Sequence, residues 1–93
     1  YAPYTSHYWR ALGAVSQQIK EYPDAIAAYD MAIANDPNDV VSYVYRGECQ
    51  ILSGNGEAGM DDLKKVLEVG TQYPEYHPWV QRSELLLRLH GAL

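Results

Sequence analysis

Apolar positions along the 93-residue chain recur at helical spacing, and no segment sustains the alternation of a strand. Between 6 and 19, Trp9, Leu12 and Ile19 share one face with Gly13 beside them, while Arg10, Gln17 and Gln18 fall elsewhere. Ser6 is the expected N-cap, because a serine oxygen can accept from the free amides of a first turn. Pro23 suits the start of a second helix. There Ala25, Ile26, Tyr29, Ala32 and Ile33 keep i, i+1, i+4, i+7, i+8 spacing. Asn35-Asp36-Pro37-Asn38 stops that helix and restarts the chain. A third helix is predicted over 39–53 and a fourth over 57–69, separated by Gly54-Asn55-Gly56. Met60, Leu63, Val66 and Leu67 form the fourth helix's stripe, and Gly70 reads as its C′ residue. Tyr73 to Pro78 reads as a loop and 79–89 as a fifth helix. The fold class is all-α.

Offsetting the sequence by 34 brings its punctuation into coincidence. Trp9 meets Tyr43, Gly13 meets Gly47, Val15 meets Cys49, Tyr29 meets Leu63 and Ala32 meets Val66. Lys20-Glu21-Tyr22 meets Gly54-Asn55-Gly56. One domain of two helix–turn–helix units, 6–39 and 40–73, is the result, with a capping helix over 78–91. The chain opens on Tyr1 without an initiator Met, so a longer parent protein is expected.

The first unit resembles the tetratricopeptide repeat, with Trp9, Leu12, Gly13, Tyr22, Ala25, Ile26, Tyr29, Ala32, Asp36, Pro37 and Asn38 at its expected places. Ser16 replaces the third aromatic of its first helix. In the second unit Arg46 stands where Leu belongs, Gly59 where Ala belongs and Thr71 where Pro belongs. The resemblance implies a tetratricopeptide-repeat superhelix with Trp9, Leu12 and Tyr29 in the core. Gly13 and Ala25 are small where the two helices cross closely.

Stacked helical pairs line a concave groove with their first helices. Taking the face opposite the packed one, that groove is expected to use His7, Arg10, Ala14 and Gln17 from unit one. Unit two is expected to add Val41, Val44, Glu48 and Ile51, flanked by Tyr45 and Leu52. Large apolar side chains on an open face point to an extended peptide with spaced apolar anchors.

A closer resemblance rests on Tyr4-Thr5-Ser6, Leu12-Gly13-Ala14, Tyr22, Ala25, Ile26 and Tyr29, and on Glu48-Cys49 within Arg46-Gly47-Glu48-Cys49-Gln50-Ile51-Leu52. This pattern is similar to the class II chaperones of bacterial type III secretion systems. It implies a cytoplasmic, non-enzymatic protein that holds an unstructured translocator segment in the groove. The family's N-terminal dimerising helix and first repeat have no counterpart here. The alternative is a generic interaction or assembly scaffold. The co-chaperone type of groove, which clamps an acidic C-terminal tail, is disfavoured, because Ala14 and Tyr45 stand where it wants Asn and Glu48 would repel a carboxylate.

Composition narrows the chemistry further. A net charge of −5, from 7 Lys+Arg against 12 Asp+Glu, argues against nucleic acid and anionic membranes as partners. No run of apolar residues approaches the roughly 20 of a spanning helix. The single cysteine cannot build a disulfide framework or a multi-thiolate zinc site, and Cys49 reads as a small buried hydrophobe. His7, His77 and His90 lack ligand spacing, so no metal or other cofactor is expected. His90 suits the negative end of the last helix. Asp61-Asp62 with Lys64-Lys65 reads as a solvated helix face. Leu85-Leu86-Leu87 and Leu89 exceed one stripe, leaving a leucine face for a partner or a homodimer.

Overall fold

The computed structural model describes residues 5–92; Tyr1 and Tyr4, used above, lie outside them. Five helices follow one another: α1 (Ser6–Gln18), α2 (Tyr22–Asn35), α3 (Val40–Leu52), α4 (Gly56–Gly70) and α5 (His77–Leu89). A 3₁₀ turn, Pro74–Tyr76, leads into α5, so the last helix begins two residues before Trp79 with Pro78 in its first turn. Each helix packs mainly on its chain neighbour, and α3 also touches α1 and α5. The first helices of the pairs, α1, α3 and α5, therefore form one layer, and α2 and α4 the other. The 18 Å short axis matches that two-helix thickness.

Small residues set the crossings. A Cβ on Gly13 would lie 2.6 Å from a ring carbon of Tyr29, so only glycine admits the fully buried tyrosine. Tyr29 packs with Ala25 and Cys49, which joins the first pair to α3. Beyond it, Val40, Val44, Leu63, Val66, Val80 and Leu87 form the main core between α3, α4 and α5. Burying side chains of this size stabilises the fold by roughly 1.5–3 kcal/mol each.

Polar side chains lock the same junctions. Asp39 caps α3, its Oδ1 accepting from the Ser42 amide at 3.2 Å and its Oδ2 from the Ser42 hydroxyl at 2.8 Å. Arg46 donates from Nε and Nη2 to Asp62 at 2.8 and 2.7 Å and from Nη1 to Asp30 at 2.8 Å, tying α2, α3 and α4 together.

Several expectations are corrected. Thr5, not Ser6, occupies the N-cap position of α1, without a side-chain hydrogen bond, because Ser6 is already helical. Trp9 is half-buried and Leu12 is exposed, because no described helix covers that face of α1. Gly70 is the last residue of α4 rather than its left-handed C′. Its hydrogen makes room for Val80, whose Cγ2 would lie 2.7 Å from a Cβ. Asp62 is buried against Arg46 rather than solvated.

Candidate functional site

A groove of about 420 Å³ opens on the layer of first helices, where α1, α3 and α5 come together. Ala11, Tyr45 and Trp79 line it, one from each helix, spaced by 34 residues. The repeat thus brings the same position of three successive first helices into a single row. Tyr45 is held on both sides. Its ring stacks on Tyr29 at 5.9 Å and meets Trp79 edge-on at 5.5 Å. Such contacts add roughly 0.5–1.5 kcal/mol each and fix the ring's orientation. His7 and Val41, another pair spaced by 34, form one end of the groove, with Arg10 and Ala14 completing the wall.

A second hollow of about 240 Å³ adjoins the first through Ala14 and Tyr45 and is lined also by Gln17, Gln18 and Tyr29. The Tyr29 hydroxyl donates to Gln17 Oε1 at 2.9 Å, so the amide that faces this hollow is oriented by the core. Burial, reinforced by the neighbouring Cys49, Tyr45 and Glu48, holds the Tyr29 phenol well above its ordinary pKa.

The cations near the groove are already engaged. Arg10 Nη1 lies 2.8 Å from Asp39 Oδ1, and the Asp39 side chain is 2% exposed. Arg82 Nε donates to Glu48 Oε1 at 2.6 Å, joining α5 to a buried carboxylate on α3. That bond holds the Arg82 guanidinium above its ordinary pKa. Each arginine therefore meets its counter-charge within the protein; Arg10 lines the groove together with His7, and its other lining side chains are apolar or aromatic.

His7, Arg10, Ala14, Gln17, Val41 and Tyr45 of the expected set thus line the two adjoining hollows. Four others do not. Val44 is fully buried in the main core, because α5 lies across the side of α3 that would otherwise be open. Glu48 sits beneath the same helix, 8% exposed and bound to Arg82. Ile51 is half-buried, packing against the α3–α4 core beside Gly59. Leu52 is 60% exposed and lines neither hollow. Ala11 and Trp79 are the residues that sequence reasoning missed. Extending the 34-residue offset from Tyr45 into the last helix would have found Trp79, because α5 stands where the first helix of a third unit would stand.

A larger hollow of about 640 Å³ lies at the α4–α5 junction, between Thr71, Tyr73, His77 and Glu84. It is walled largely by the connecting turn and lacks the aromatic row. Among the described residues no group of three or more His, Cys, Asp or Glu comes together to hold a metal. Cys49 is fully buried, and burial, with Glu48 beside it, pushes its thiol up to about 11. No helix among the described residues is long and apolar enough to cross a membrane.

No protein-family profile matches the chain. Over 54 residues, 58% of its length, it is 33% identical to Hsp70-Hsp90 organizing protein 3 of Arabidopsis thaliana. The chain spans 10% of that protein's length. Together with the stacked helical pairs, the likeness supports one architectural conclusion. The chain has a tetratricopeptide-like helical-repeat fold. Its row of Ala11, Tyr45 and Trp79 is then the inner face of the superhelix, the surface such a fold leaves open to partners.

Proposed function

We propose that the protein is a peptide-binding module that takes an extended segment of a client protein along the row of Ala11, Tyr45 and Trp79. The observation that carries this reading is the groove's chemistry: an aromatic and small-residue row whose lining arginine, Arg10, is already paired with Asp39, as the nearby Arg82 is with Glu48. A neutral apolar anchor loses little on entering such a row. A carboxylate would have to compete with Asp39 and Glu48 for a guanidinium while giving up its own hydration. The likeness to a protein named as an organizer of two others fits a role in protein association. The role is binding rather than catalysis, and the fully buried Cys49 offers no thiolate to a substrate.

The test is an array of peptides with spaced apolar anchors beside scrambled and acidic C-terminal-tail controls. It is probed with the wild type and with Ala11→Arg, which fills the groove from an exposed position. Capture of anchored peptides by the wild type and its loss in the variant, at unchanged circular dichroism, is the expected result. Equal capture by both proteins, or preference for the acidic tails, would remove the groove from the argument.

The finer reading is that the client is a translocator of a type III secretion system, held in the cytoplasm before export. It rests on the sequence resemblance. Glu48 and Cys49, which carry part of that resemblance, are buried and contribute to packing. Overlapping translocator segments belong on the same array. Their selective retention over other anchored peptides supports the chaperone, and indiscriminate retention supports the generic scaffold.

A further inference from the structure

Gln17 is polar where the next two first helices carry aliphatic residues. At 34-residue intervals it is followed by Ile51 and Leu85, and Tyr29, to which it is bonded, is followed by Leu63. Both members of the pair are thus replaced together in unit two, where Ile51 and Leu63 belong to the apolar core of α3, α4 and α5. The bond between Tyr29 and Gln17 has no counterpart there.

That bond decides which end of the amide is left for a ligand. Tyr29 is fully buried, and its hydroxyl donates to Gln17 Oε1 at 2.9 Å. A buried hydroxyl without an acceptor is costly, so the core holds the carboxamide in one of its two orientations. Its donor end, Nε2, remains on a half-buried side chain that lines the second hollow beside Ala14 and Tyr45. Among the described residues Nε2 donates to no protein acceptor.

The hollow's other walls narrow what could accept from it. Ala14, Gln18, Tyr29 and Tyr45 include no cation. Burial raises the Tyr29 phenol most, and the Glu48 charge adds to the rise. A carboxylate entering there would meet a negative neighbour and no counter-charge, whereas a neutral carbonyl can accept from an amide without bringing charge. The hollow adjoins the apolar row at Ala14 and Tyr45, so this carbonyl lies next to the anchor that the row holds.

We infer that Gln17 is a specificity-determining residue of the groove, donating from Nε2 to a neutral amide carbonyl of the bound segment beside its apolar anchor, and that Tyr29 is the positioning residue that sets the donor end outward. The inference rests on the peptide-binding reading of the groove. It adds a polar requirement on the α1 side, which gives a direction to a segment otherwise held by apolar contacts. The carbonyl belongs either to the segment's backbone or to an Asn or Gln side chain.

The test uses short acetylated and amidated peptides with spaced leucine anchors in a Gly/Ser background. Each position beside an anchor is set in turn to Asn, Asp or Ala, and affinities are measured by fluorescence anisotropy. Gln17→Glu keeps the shape and an acceptor for the Tyr29 hydroxyl but replaces the donor end by oxygen. It is expected to weaken binding about five- to tenfold, the worth of one hydrogen bond. Tyr29→Phe keeps the ring against Gly13 and lets the amide turn over; it is expected to weaken binding by a smaller factor, which a purely structural hydroxyl would not do. A preference for Asn at one distance from the anchor, lost in Gln17→Glu, supports the inference with a side-chain carbonyl. An equal loss across all anchored peptides supports it with a backbone carbonyl. Equal binding by the wild type and either variant, or a wild-type preference for Asp over Asn, would overturn the inference and leave the peptide-binding reading standing. Anchored peptides that bind none of the three proteins would overturn both.

Discussion

Gly47 and Gly59 face each other across the contact of α3 and α4 so closely that neither can carry a side chain. A Cβ on Gly59 would lie 2.5 Å from the Gly47 carbonyl oxygen, and one on Gly47 would lie 2.8 Å from that of Gly59. Gly47 keeps the glycine that Gly13 holds in unit one, whereas Gly59 stands where unit one has Ala25 and is a weak point in its helix. Together they let two backbones approach, so the departure at Gly59 is compensated by the glycine it faces.

Gly59→Ala is accordingly expected to destabilise the protein, although alanine favours a helix by about 1 kcal/mol over glycine. The overpacking against Gly47 and Ile51 costs about 1–3 kcal/mol. Gly56→Ala is the control, since nothing lies within 4 Å of a Cβ at that first position of α4. Thermal unfolding of the two variants should move in opposite directions. A more stable Gly59→Ala protein would show that the close approach is not required.

A second compensated departure joins Arg46 to Asp62. In unit one the corresponding residues are Leu12 and Ala28, so an ion pair stands in unit two where apolar side chains stand in unit one. Arg46→Leu leaves the Asp62 carboxylate, 10% exposed, without its bidentate partner and is expected to cost about 3 kcal/mol. Arg46→Leu with Asp62→Ala removes both charges and should recover most of that loss, since Asp30 is half-exposed and keeps its water. Urea unfolding of the single and double variants gives the coupling. Additive losses would mean that the pair is not a unit.

These two pairs mark where the sequence was legible and where it was not. The core place of Tyr29 beside the small residues of the first crossing is what the repeat resemblance implies, and the structure has it there. The Asp62 contact has the same 16-residue separation within its unit, but the repeat pattern holds no ion pair at those positions, and the neighbours Asp61, Lys64 and Lys65 make the segment look solvated. Val44 differs from its expected place for a related reason. Repeat position assigns it to an open inner face, but α5 crosses that face and takes Val44 into the core. Trp79 lies outside any groove read from two units with a terminal cap. By register that last helix is the first helix of another unit, and its tryptophan completes the groove.

Lys20 is the one described non-glycine residue with a left-handed backbone, at φ 63°. Its counterpart 34 residues on is Gly54, at φ 95°. The two close the same turn between the helices of a pair, and only the second uses the residue suited to it. Lys20→Gly is expected to stabilise the protein by about 0.5–1 kcal/mol, the left-handed strain of lysine being partly offset by the entropy glycine adds to the unfolded chain. Gly54→Ala should cost about as much. The chemical denaturation midpoints should shift oppositely, and a destabilised Lys20→Gly protein would assign the lysine a contact that outweighs its strain.

Cys49 sets an alkaline limit on the fold. Burial, with the Glu48 charge beside it, raises the thiol from 9.0 to about 11. The native protein therefore keeps the proton that the unfolded chain has lost between those values. Proton binding favours the folded state there, so this contribution is fully present below pH 9 and drains away as pH rises towards 11. The slope approaches 1.4 kcal/mol per pH unit where the unfolded thiol is ionised and the native one is not. Tyr29, whose phenol is also raised by burial, adds to the loss only above its ordinary value of 10.0. Cys49→Ala, which removes a small buried side chain at a cost of about 1 kcal/mol, should be less stable at pH 8 but lose less between pH 9 and 10. Urea unfolding at pH 8, 9 and 10 separates the two proteins. Parallel pH profiles would mean that the thiol reaches solvent in the native state and that its packing between Tyr29 and Ala25 is looser than the structure has it.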